Sequence, residues 1–291
     1  WGECMELLEF KGKILELCKV KEIKSIGDVL MSVVLNHDIE FFEKYESIID
    51  DTKDWLQALW QYYEADRTEK KQDYTPKSLC KLVASLAGKA DTVYDCCGGS
   101  GALTKAFIDM HGTKNVLVEE LDERVIPFLL FNLCLHNISG CVVNGNVLSK
   151  EKIKCFQLVA DDKYSKCQIT DGAYTENIAD VSISNPPYNI KWEPPTPLEN
   201  DIRFPVIPPA SNANYAFVLN CLARAKEKAV LILPNGIMSE RTEYDCRQYL
   251  VDNELIETVI IMPEKMFEVT SISTCILVLK KKKKHKGEIL F

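Results

Sequence analysis

The sequence lacks the features that would assign it to several common protein classes. No stretch approaches the roughly 20 consecutive apolar residues that a membrane-spanning helix needs, so we expect no membrane partner. The 12 cysteines form no Cys-x-x-Cys pair, and most lie in apolar runs. This pattern predicts buried free thiols in the reducing cytoplasm, without disulfides and without a metal ion. Glu3, Glu6 and Glu9 make the first ten residues unlike a signal peptide.

An excess of positive charge is missing as well. The 291 residues include 35 Lys and Arg against 43 Asp and Glu, which gives a net charge of −8 at pH 7. A protein that grips DNA alone usually has a basic surface. Any contact with nucleic acid is therefore expected from a locally basic groove or with the help of a partner.

Glycine is absent between residues 28 and 87, and this part of the chain has a helical pattern. Apolar residues recur three and four positions apart, as in Leu30, Val33 and Val34. We predict several short helices in a helical N-terminal region over residues 1–70. A catalytic domain is predicted over residues 71–291, where the pattern changes.

In that second part, predicted strands alternate with predicted helices. This alternation predicts an α/β fold, with a doubly wound and mostly parallel sheet. Short apolar runs predict strands at 92–95, 116–120, 141–143, 179–183, 229–233 and 256–261. A helix is expected from Leu79 to Leu86, with Thr75 as its N-cap and Pro76 as its first residue. Cys275–Leu279 and Glu288–Phe291 are predicted to form a hairpin at the edge of the sheet.

A glycine-rich loop follows the first predicted strand. The strand ends at Asp95, and Gly99, Ser100 and Gly101 lead into a predicted helix. Glycines let a ligand approach the backbone closely, and a helix N-terminus offers free N–H groups. Such loops bind nucleotides, flavins or S-adenosylmethionine alike, but a phosphate-loop lysine after Gly101 is missing.

Two adjacent carboxylates stand at the end of the second predicted strand. A carboxylate about 20 residues past a glycine loop is placed to accept hydrogen bonds from a ribose diol. Glu119 and Glu120 both satisfy this spacing, and the alternation of the strand does not choose between them.

The most specific motif is Asn185-Pro186-Pro187-Tyr188, directly after an apolar strand. The Asn185 side-chain oxygen and the Pro186 carbonyl can both accept hydrogen bonds from a planar amine. The positive charge that develops on this nitrogen during methyl transfer would be stabilised by two such fixed acceptors. Tyr188 can stack on a base that has left the duplex. We therefore predict that Asn185, Pro186, Pro187 and Tyr188 are the catalytic residues.

Taken in order, these motifs resemble the modification subunits of type I restriction–modification systems, which are gamma-class N6-adenine DNA methyltransferases. The resemblance runs from about residue 72 to the end. Glu120-Leu121 is similar to the family's acidic E-[IL], which selects Glu120 for the ribose. Asn146 stands where the family's G-D-[TS]-L has an Asp near the adenine of the cofactor. The glycine loop is similar to V-Y-D-P-x-C-G-S-G, with Cys96 in place of Pro and Gly98 in place of Cys or Ala.

Further segments carry the same resemblance. Ser211–Phe217 is similar to S-N-A-[DN]-Y-A-F, and Leu233–Gly236 to L-P-N-G. Phe267–Leu279 is similar to a segment that ends in T-C-I-L-V-L. The family's cofactor-contacting Q-x-[FY]-T-P-[RK] is matched by Gln72, Asp73, Tyr74, Thr75, Pro76 and Lys77.

The resemblance implies a site-specific DNA methyltransferase in the cytoplasm, with S-adenosylmethionine as its cofactor. DNA with a flipped adenine would be its substrate. A specificity subunit would be a partner, and a restriction subunit as a second partner is compatible with the resemblance. Longer members continue into C-terminal helices that dock on the specificity subunit, and we expect these to be missing here. Alternatives are a methyltransferase for RNA adenine or protein glutamine, or a non-catalytic scaffold. The Tyr-Thr-Pro and L-P-N-G segments favour adenine over glutamine.

Overall fold

One nine-stranded sheet organises the part of the chain that the structure describes. This structure is a computed structural model, and it describes residues 2–49, 54–63, 75–171, 178–194, 201–263, 272–283 and 285–291. The strands are β1 Thr92–Asp95, β2 Asn115–Glu120, β3 Ser139–Asn146, β4 Glu151–Val159, β5 Lys166–Thr170, β6 Ala179–Ser184, β7 Ala225–Pro234, β8 Ile256–Ile261 and β9 Thr274–Lys280. Their order is β5-β4-β3-β2-β1-β6-β7-β9-β8.

The five central strands, β3-β2-β1-β6-β7, are parallel, and helices cover both faces of the sheet. The helices α5 Lys77–Ala87, α6 Ala102–His111 and α7 Ile126–Leu135 contribute to the core on one face. The helices α8 Asn214–Arg224 and α9 Tyr244–Asp252 contribute to the core on the other. Strands that are buried on both faces explain the continuous apolar runs of the sequence. The predicted doubly wound α/β fold is confirmed.

Among the described residues, four α-helices precede α5, as the N-terminal pattern predicts. They are α1 Gly2–Cys18, α2 Ile26–Asn36, α3 Ile39–Ile48 and α4 Trp55–Tyr63. The ring of Phe42 on α3 stacks on Phe131 of α7 at 4.8 Å and on Tyr164 at 4.7 Å. Because α7 lies between these helices and the sheet, nearly all of its side chains are buried, which explains why its sequence is apolar all round. The division at residue 70 stays a prediction.

The predicted C-terminal hairpin is wrong. Strand β9 lies inside the sheet, antiparallel to both β7 and β8. Its residues Thr274–Leu279 are all buried, because the strand has neighbours on both sides and packing on both faces. Near the C-terminus, Leu290 forms only an isolated parallel bridge to Thr258 of β8.

Two further local features differ from the sequence-based description. Strands β4 and β5 form an antiparallel hairpin beside β3 that the sequence analysis did not predict. Thr75 does not cap α5, because the helix begins at Lys77 after Pro76 and no side chain caps it. The hydroxyl of Thr75 instead accepts a hydrogen bond from Asn185, 110 positions away.

The cysteines of the described residues are free thiols, and nine of the eleven side chains are buried. The same residues contain no group of three His, Cys, Asp or Glu side chains that could hold a metal ion. None of their helices combines the length and the apolar character that crossing a membrane requires.

Candidate active site

A cavity of about 870 Å³ opens at the carboxyl ends of β1, β2, β3 and β6. From β1 the chain moves outward to β2 and β3 and later returns to β6, on the other side of β1. The connections that follow β1 and β6 therefore diverge, which leaves a crevice above the sheet. Ligands of open α/β sheets bind at such switch points.

The glycine loop forms the wall beside β1. A methyl group built on Gly98 would lie 2.3 Å from Cγ1 of Val118, so a side chain at this position would clash with the Val118 side chain on β2. Gly99 and Gly101 have positive φ angles of 54° and 95°. Ser100 lines the cavity, and its buried Oγ has no hydrogen-bond partner among the residues that the structure describes. This orphaned hydroxyl and the close backbone approach fit a polar ligand.

Asp95 supports this loop from below, and its side chain does not line the cavity. Its carboxylate accepts hydrogen bonds from the backbone N of Cys97 at 3.2 Å and from Oγ1 of Thr104 at 3.0 Å. Burial raises the pKa of Asp95 to about 7. Asp95 therefore positions the loop, and Gly101 also lies outside the cavity wall, at the start of α6.

The two adjacent carboxylates of β2 lie on opposite faces of the sheet. Glu120 lines the cavity and accepts hydrogen bonds from the backbone N of Gly99 and of Asp122, both at 2.8 Å. Burial raises the pKa of Glu120, although these two donors oppose the shift. Glu119 is buried in the other face, where it accepts a 2.6 Å hydrogen bond from the hydroxyl of Tyr94. Only Glu120 can meet a ligand in the cavity.

Asn146 lies at the carboxyl end of β3, on the same cavity wall. Its Oδ1 accepts hydrogen bonds from the backbone N of Leu148 at 3.0 Å and of Ser149 at 3.4 Å. The side chain therefore closes a tight turn over residues 146–149. Val147 and Leu148 of this turn line the cavity as well.

The Asn-Pro-Pro-Tyr segment leaves the end of β6, and all four of its residues line the cavity. Asn185 donates from Nδ2 to Oγ1 of Thr75 at 2.9 Å. Its Oδ1 accepts a 2.6 Å hydrogen bond from the hydroxyl of Tyr188. The amide is thus held between two side chains. The following turn is tied to α8 by Asn214, which donates from Nδ2 to Oδ1 of Asn189 at 3.0 Å.

The structure therefore brings together most of the residues that the sequence singled out. Thr75, Gly99, Ser100, Glu120, Asn146 and residues 185–188 share one cavity. Pro76 and Lys77 line a neighbouring pocket of about 620 Å³, next to Thr75. Gln72, Asp73 and Tyr74 lie outside the described residues.

Several residues of the cavity wall were missed by the sequence analysis. These are chiefly Cys97, Leu121, Asp122, Val147, Leu148, Ile190, Trp192 and Phe217. A position one or two residues past a predicted strand end is a usable signal for Leu121 and Asp122. Trp192 lies in the proline-rich segment after the Asn-Pro-Pro-Tyr motif, and its ring N–H donates to the carbonyl of Pro209 at 3.0 Å. No local pattern predicts that contact.

Comparison with known proteins identifies the family of the chain. The family model described as "N-6 DNA Methylase" matches residues 49–291. The chain belongs to the N-6 DNA methylase family. This family membership confirms the resemblance that the motifs carried, and S-adenosylmethionine is the cofactor of the family.

Among curated proteins, this family member is 31% identical to the type I restriction enzyme MpnII methylase subunit of Mycoplasma pneumoniae, over 94% of the chain and 50% of that protein. It is 27% identical to the HindI methylase subunit of Haemophilus influenzae, over 82% of the chain and 54% of that protein. The chain thus spans about half the length of the curated relatives it matches.

Solved structures share the fold. A type I restriction–modification methyltransferase subunit from Streptococcus thermophilus superposes with a TM-score of 0.64 at 23% identity, over 86% of this chain and 54% of that one. A class I S-adenosylmethionine-dependent methyltransferase from Listeria monocytogenes, described as putative, gives a TM-score of 0.65 at 16% identity, over 98% and 91% of the two chains.

Proposed function

We propose that this chain transfers a methyl group from S-adenosylmethionine to N6 of adenine in DNA, as the modification subunit of a type I restriction–modification system. The observation that carries the proposal is a single cavity that combines Asn185 and Pro186 with Glu120 and the glycine loop. The amine acceptors and the candidate ribose acceptor thus face one space, in which a cofactor and a base can meet.

The residues of the cavity fit the cofactor. Glu120 would accept hydrogen bonds from the ribose diol, and the orphaned Oγ of Ser100 would bond to a polar group of the ligand. The turn over residues 146–149 would contact the adenine, and Thr75 lies at the junction with the neighbouring pocket. When bound, the cofactor supplies an electrophilic methyl group.

Asn185 acts on the amine that receives the methyl group. Its Oδ1 and the carbonyl of Pro186 accept hydrogen bonds from the two N–H groups of the amine, which holds the nitrogen in the orientation for attack. A carbonyl oxygen has two lone pairs, so Oδ1 can bind the amine while the hydroxyl of Tyr188 remains in place. Positive charge that develops on the nitrogen is stabilised by acceptors that are already fixed.

Tyr188 holds the base. Its ring lines the cavity, and stacking of a base on an aromatic ring contributes roughly 1–3 kcal/mol. The target adenine must leave the duplex first, because its amine is otherwise paired and out of reach. A net charge of −8 gives this chain little general attraction for DNA, which supports a specificity subunit as the source of much of the binding. A restriction subunit would complete the system. The system would act in the cytoplasm, because its DNA substrate is there.

The test is transfer of tritium from labelled S-adenosylmethionine, with the chain assembled with its specificity subunit. DNA without prior adenine methylation is the substrate, and digestion to nucleosides locates the label. We expect the label in N6-methyladenine, and labelling that is slower on the order of 100- to 1000-fold with Asn185→Ala. Label in cytosine, RNA or a protein glutamine would overturn the substrate. Cofactor binding without transfer to any acceptor would favour a non-catalytic scaffold.

A further inference from the structure

A buried arginine stands behind the turn that closes the cavity beside β3. Arg203 lies in the segment after the Asn-Pro-Pro-Tyr motif and is only 3% exposed. Neither its charge nor its position singled it out in the sequence. A buried guanidinium is costly unless every donor finds an acceptor, so the partners of Arg203 indicate its role.

All five N–H groups of this guanidinium have acceptors. Nη1 donates to the carbonyl of Val147 at 2.6 Å and to Oδ1 of Asn220 at 3.0 Å. Nη2 donates to the carbonyl of Leu148 at 3.0 Å and to Oδ2 of Asp201 at 2.7 Å. Nε donates to Oδ1 of Asp201 at 3.0 Å. Arginine has no sixth donor, so the side chain is fully committed.

Asp201 keeps the pair ionised. Burial by itself raises the pKa of Asp201, but the hydrogen bonds from Arg203 and the positive charges of Arg203 and Lys150 together outweigh burial, and the pKa lies below its ordinary value. The guanidinium therefore stays compensated inside the protein while its remaining donors reach the carbonyls of Val147 and Leu148. An ammonium group could not replace it, because a lysine has three donors on one atom rather than a planar fork.

These carbonyls belong to the turn whose backbone N–H groups bond to Asn146. Arg203 holds the carbonyl groups of residues 147 and 148, and Asn146 accepts from the N–H groups of residues 148 and 149. The turn is thus fixed from both sides. Since Val147 and Leu148 line the cavity, any shift of the turn changes the cavity wall.

Arg203 also connects this turn to the opposite wall. The ring of its neighbour Phe204 lies 5.5 Å from the ring of Trp192, which lines the cavity four residues after Tyr188. The segment that carries Arg203 therefore contacts both the turn beside β3 and the substrate side of the cavity.

We propose that Arg203 is a positioning residue that fixes the turn over residues 146–149 and thereby sets the affinity for S-adenosylmethionine. The affinity part rests on the proposed function, since it requires the cofactor in this cavity. The turn lies far along the sheet from the amine acceptors of β6, with β1 and β2 between them. The effect should therefore fall on cofactor binding and much less on turnover at saturating cofactor.

The first test needs no cofactor. Hydrogen–deuterium exchange of the free chain should show faster exchange of the peptide that contains residues 148 and 149 in Arg203→Lys. The matched control is Arg247→Lys, which removes an arginine that also donates to two backbone carbonyls, of Ile237 and Glu240, but lies outside the cavity. Unchanged exchange of the turn in Arg203→Lys would overturn the positioning role.

The second test is calorimetric titration with S-adenosylmethionine. The dissociation constant should rise on the order of 10-fold in Arg203→Lys and stay unchanged in Arg247→Lys, with turnover in the assembled complex nearly retained at saturating cofactor. If Arg203→Lys does not fold, Asp201→Asn gives a milder perturbation, with the same direction expected in both measurements. Faster exchange with an unchanged dissociation constant would overturn the link to affinity. A wild-type chain that binds no cofactor would refute the proposed function, while the exchange experiment would still decide the positioning role.

Discussion

The adjacent carboxylates of β2 provide a sharp test of the cofactor site, because they lie on opposite faces of the sheet. Glu120→Gln and Glu119→Gln both remove one negative charge and keep the size of the side chain. Glu120 faces the cavity, whereas Glu119 bonds to Tyr94 on the other face. We expect Glu120→Gln to weaken binding of S-adenosylmethionine and Glu119→Gln to leave it nearly unchanged.

The magnitude follows from the number of acceptors. The Glu120 carboxylate receives one backbone hydrogen bond on each oxygen, which leaves one further lone pair on each for a ribose hydroxyl. A glutamine keeps one oxygen and turns an NH₂ group towards one of the two backbone donors. One charge-assisted hydrogen bond to the ribose is lost, about 1.5–3 kcal/mol. The dissociation constant should therefore rise on the order of 10- to 100-fold.

Calorimetric titration measures this effect, and thermal unfolding shows whether each variant is folded. The pH dependence gives a second check. Because burial raises the pKa of Glu120, the carboxylate gains its proton at a higher pH than an exposed glutamate, and a protonated group loses acceptor strength. Wild-type affinity should fall as the pH is lowered towards that pKa, with a weaker dependence in Glu120→Gln. Equal affinities of the two glutamine variants would refute the assignment of the ribose to Glu120.

Four further predictions concern the catalytic motif, DNA binding and stability. Asn185→Ala should lower turnover on the order of 100- to 1000-fold and change DNA binding little, because the Asn185 oxygen stabilises charge in the transition state. Single-turnover kinetics of the assembled complex measures this effect, and the surface variant Asn253→Ala is the control. Tyr188→Ala should weaken productive DNA binding while Tyr188→Phe keeps most activity, and equal loss in both would show that the hydroxyl rather than the ring matters. The wild-type chain alone should bind duplex DNA weakly, without sequence choice and with a steep decrease as salt rises; tight, site-selective binding at physiological salt would contradict this. The pKa of Asp95 is about 7 in the folded protein, against 3.8 for an ordinary aspartate. Between these two pH values the folded state binds more protons than the unfolded state, so the free energy of unfolding should fall as the pH rises from 4 to 7. Denaturant unfolding should show that the stability of Asp95→Asn depends less on pH over this range. Some pH dependence should remain from Glu243, because burial raises its pKa to about 7 as well.

The local motifs of the sequence were sufficient to predict the class of fold and several of the residues that line one cavity. Strands that alternate with helices imply a parallel sheet, and parallel strands place their carboxyl ends at one edge. Gly99, Glu120, Asn146 and Asn185 each lie at or just after the carboxyl end of a strand, so they meet in one cavity although they lie far apart in the chain. This prediction needs only the hydrophobic periodicity of the sequence and the direction in which each strand runs.

Contacts between distant segments were decided by the tertiary structure alone. Glu119 and Glu120 differ in sequence only by position, and the pleat of β2 with its neighbours turns one into the core and the other into the cavity. Thr75 resembled a helix cap, yet its hydroxyl is taken by Asn185 from another element.

Strand β9 and Arg203 show the same limit. An apolar run such as 275–279 is compatible with an edge or an interior strand, and only the pairing with β7 and β8 makes it interior. Arginine side chains are usually exposed, but Arg203 is buried because the carbonyls of Val147 and Leu148, more than fifty positions earlier, accept its hydrogen bonds. Sequence periodicity reports on neighbours along the chain, whereas burial of a charge depends on acceptors that the fold brings from elsewhere.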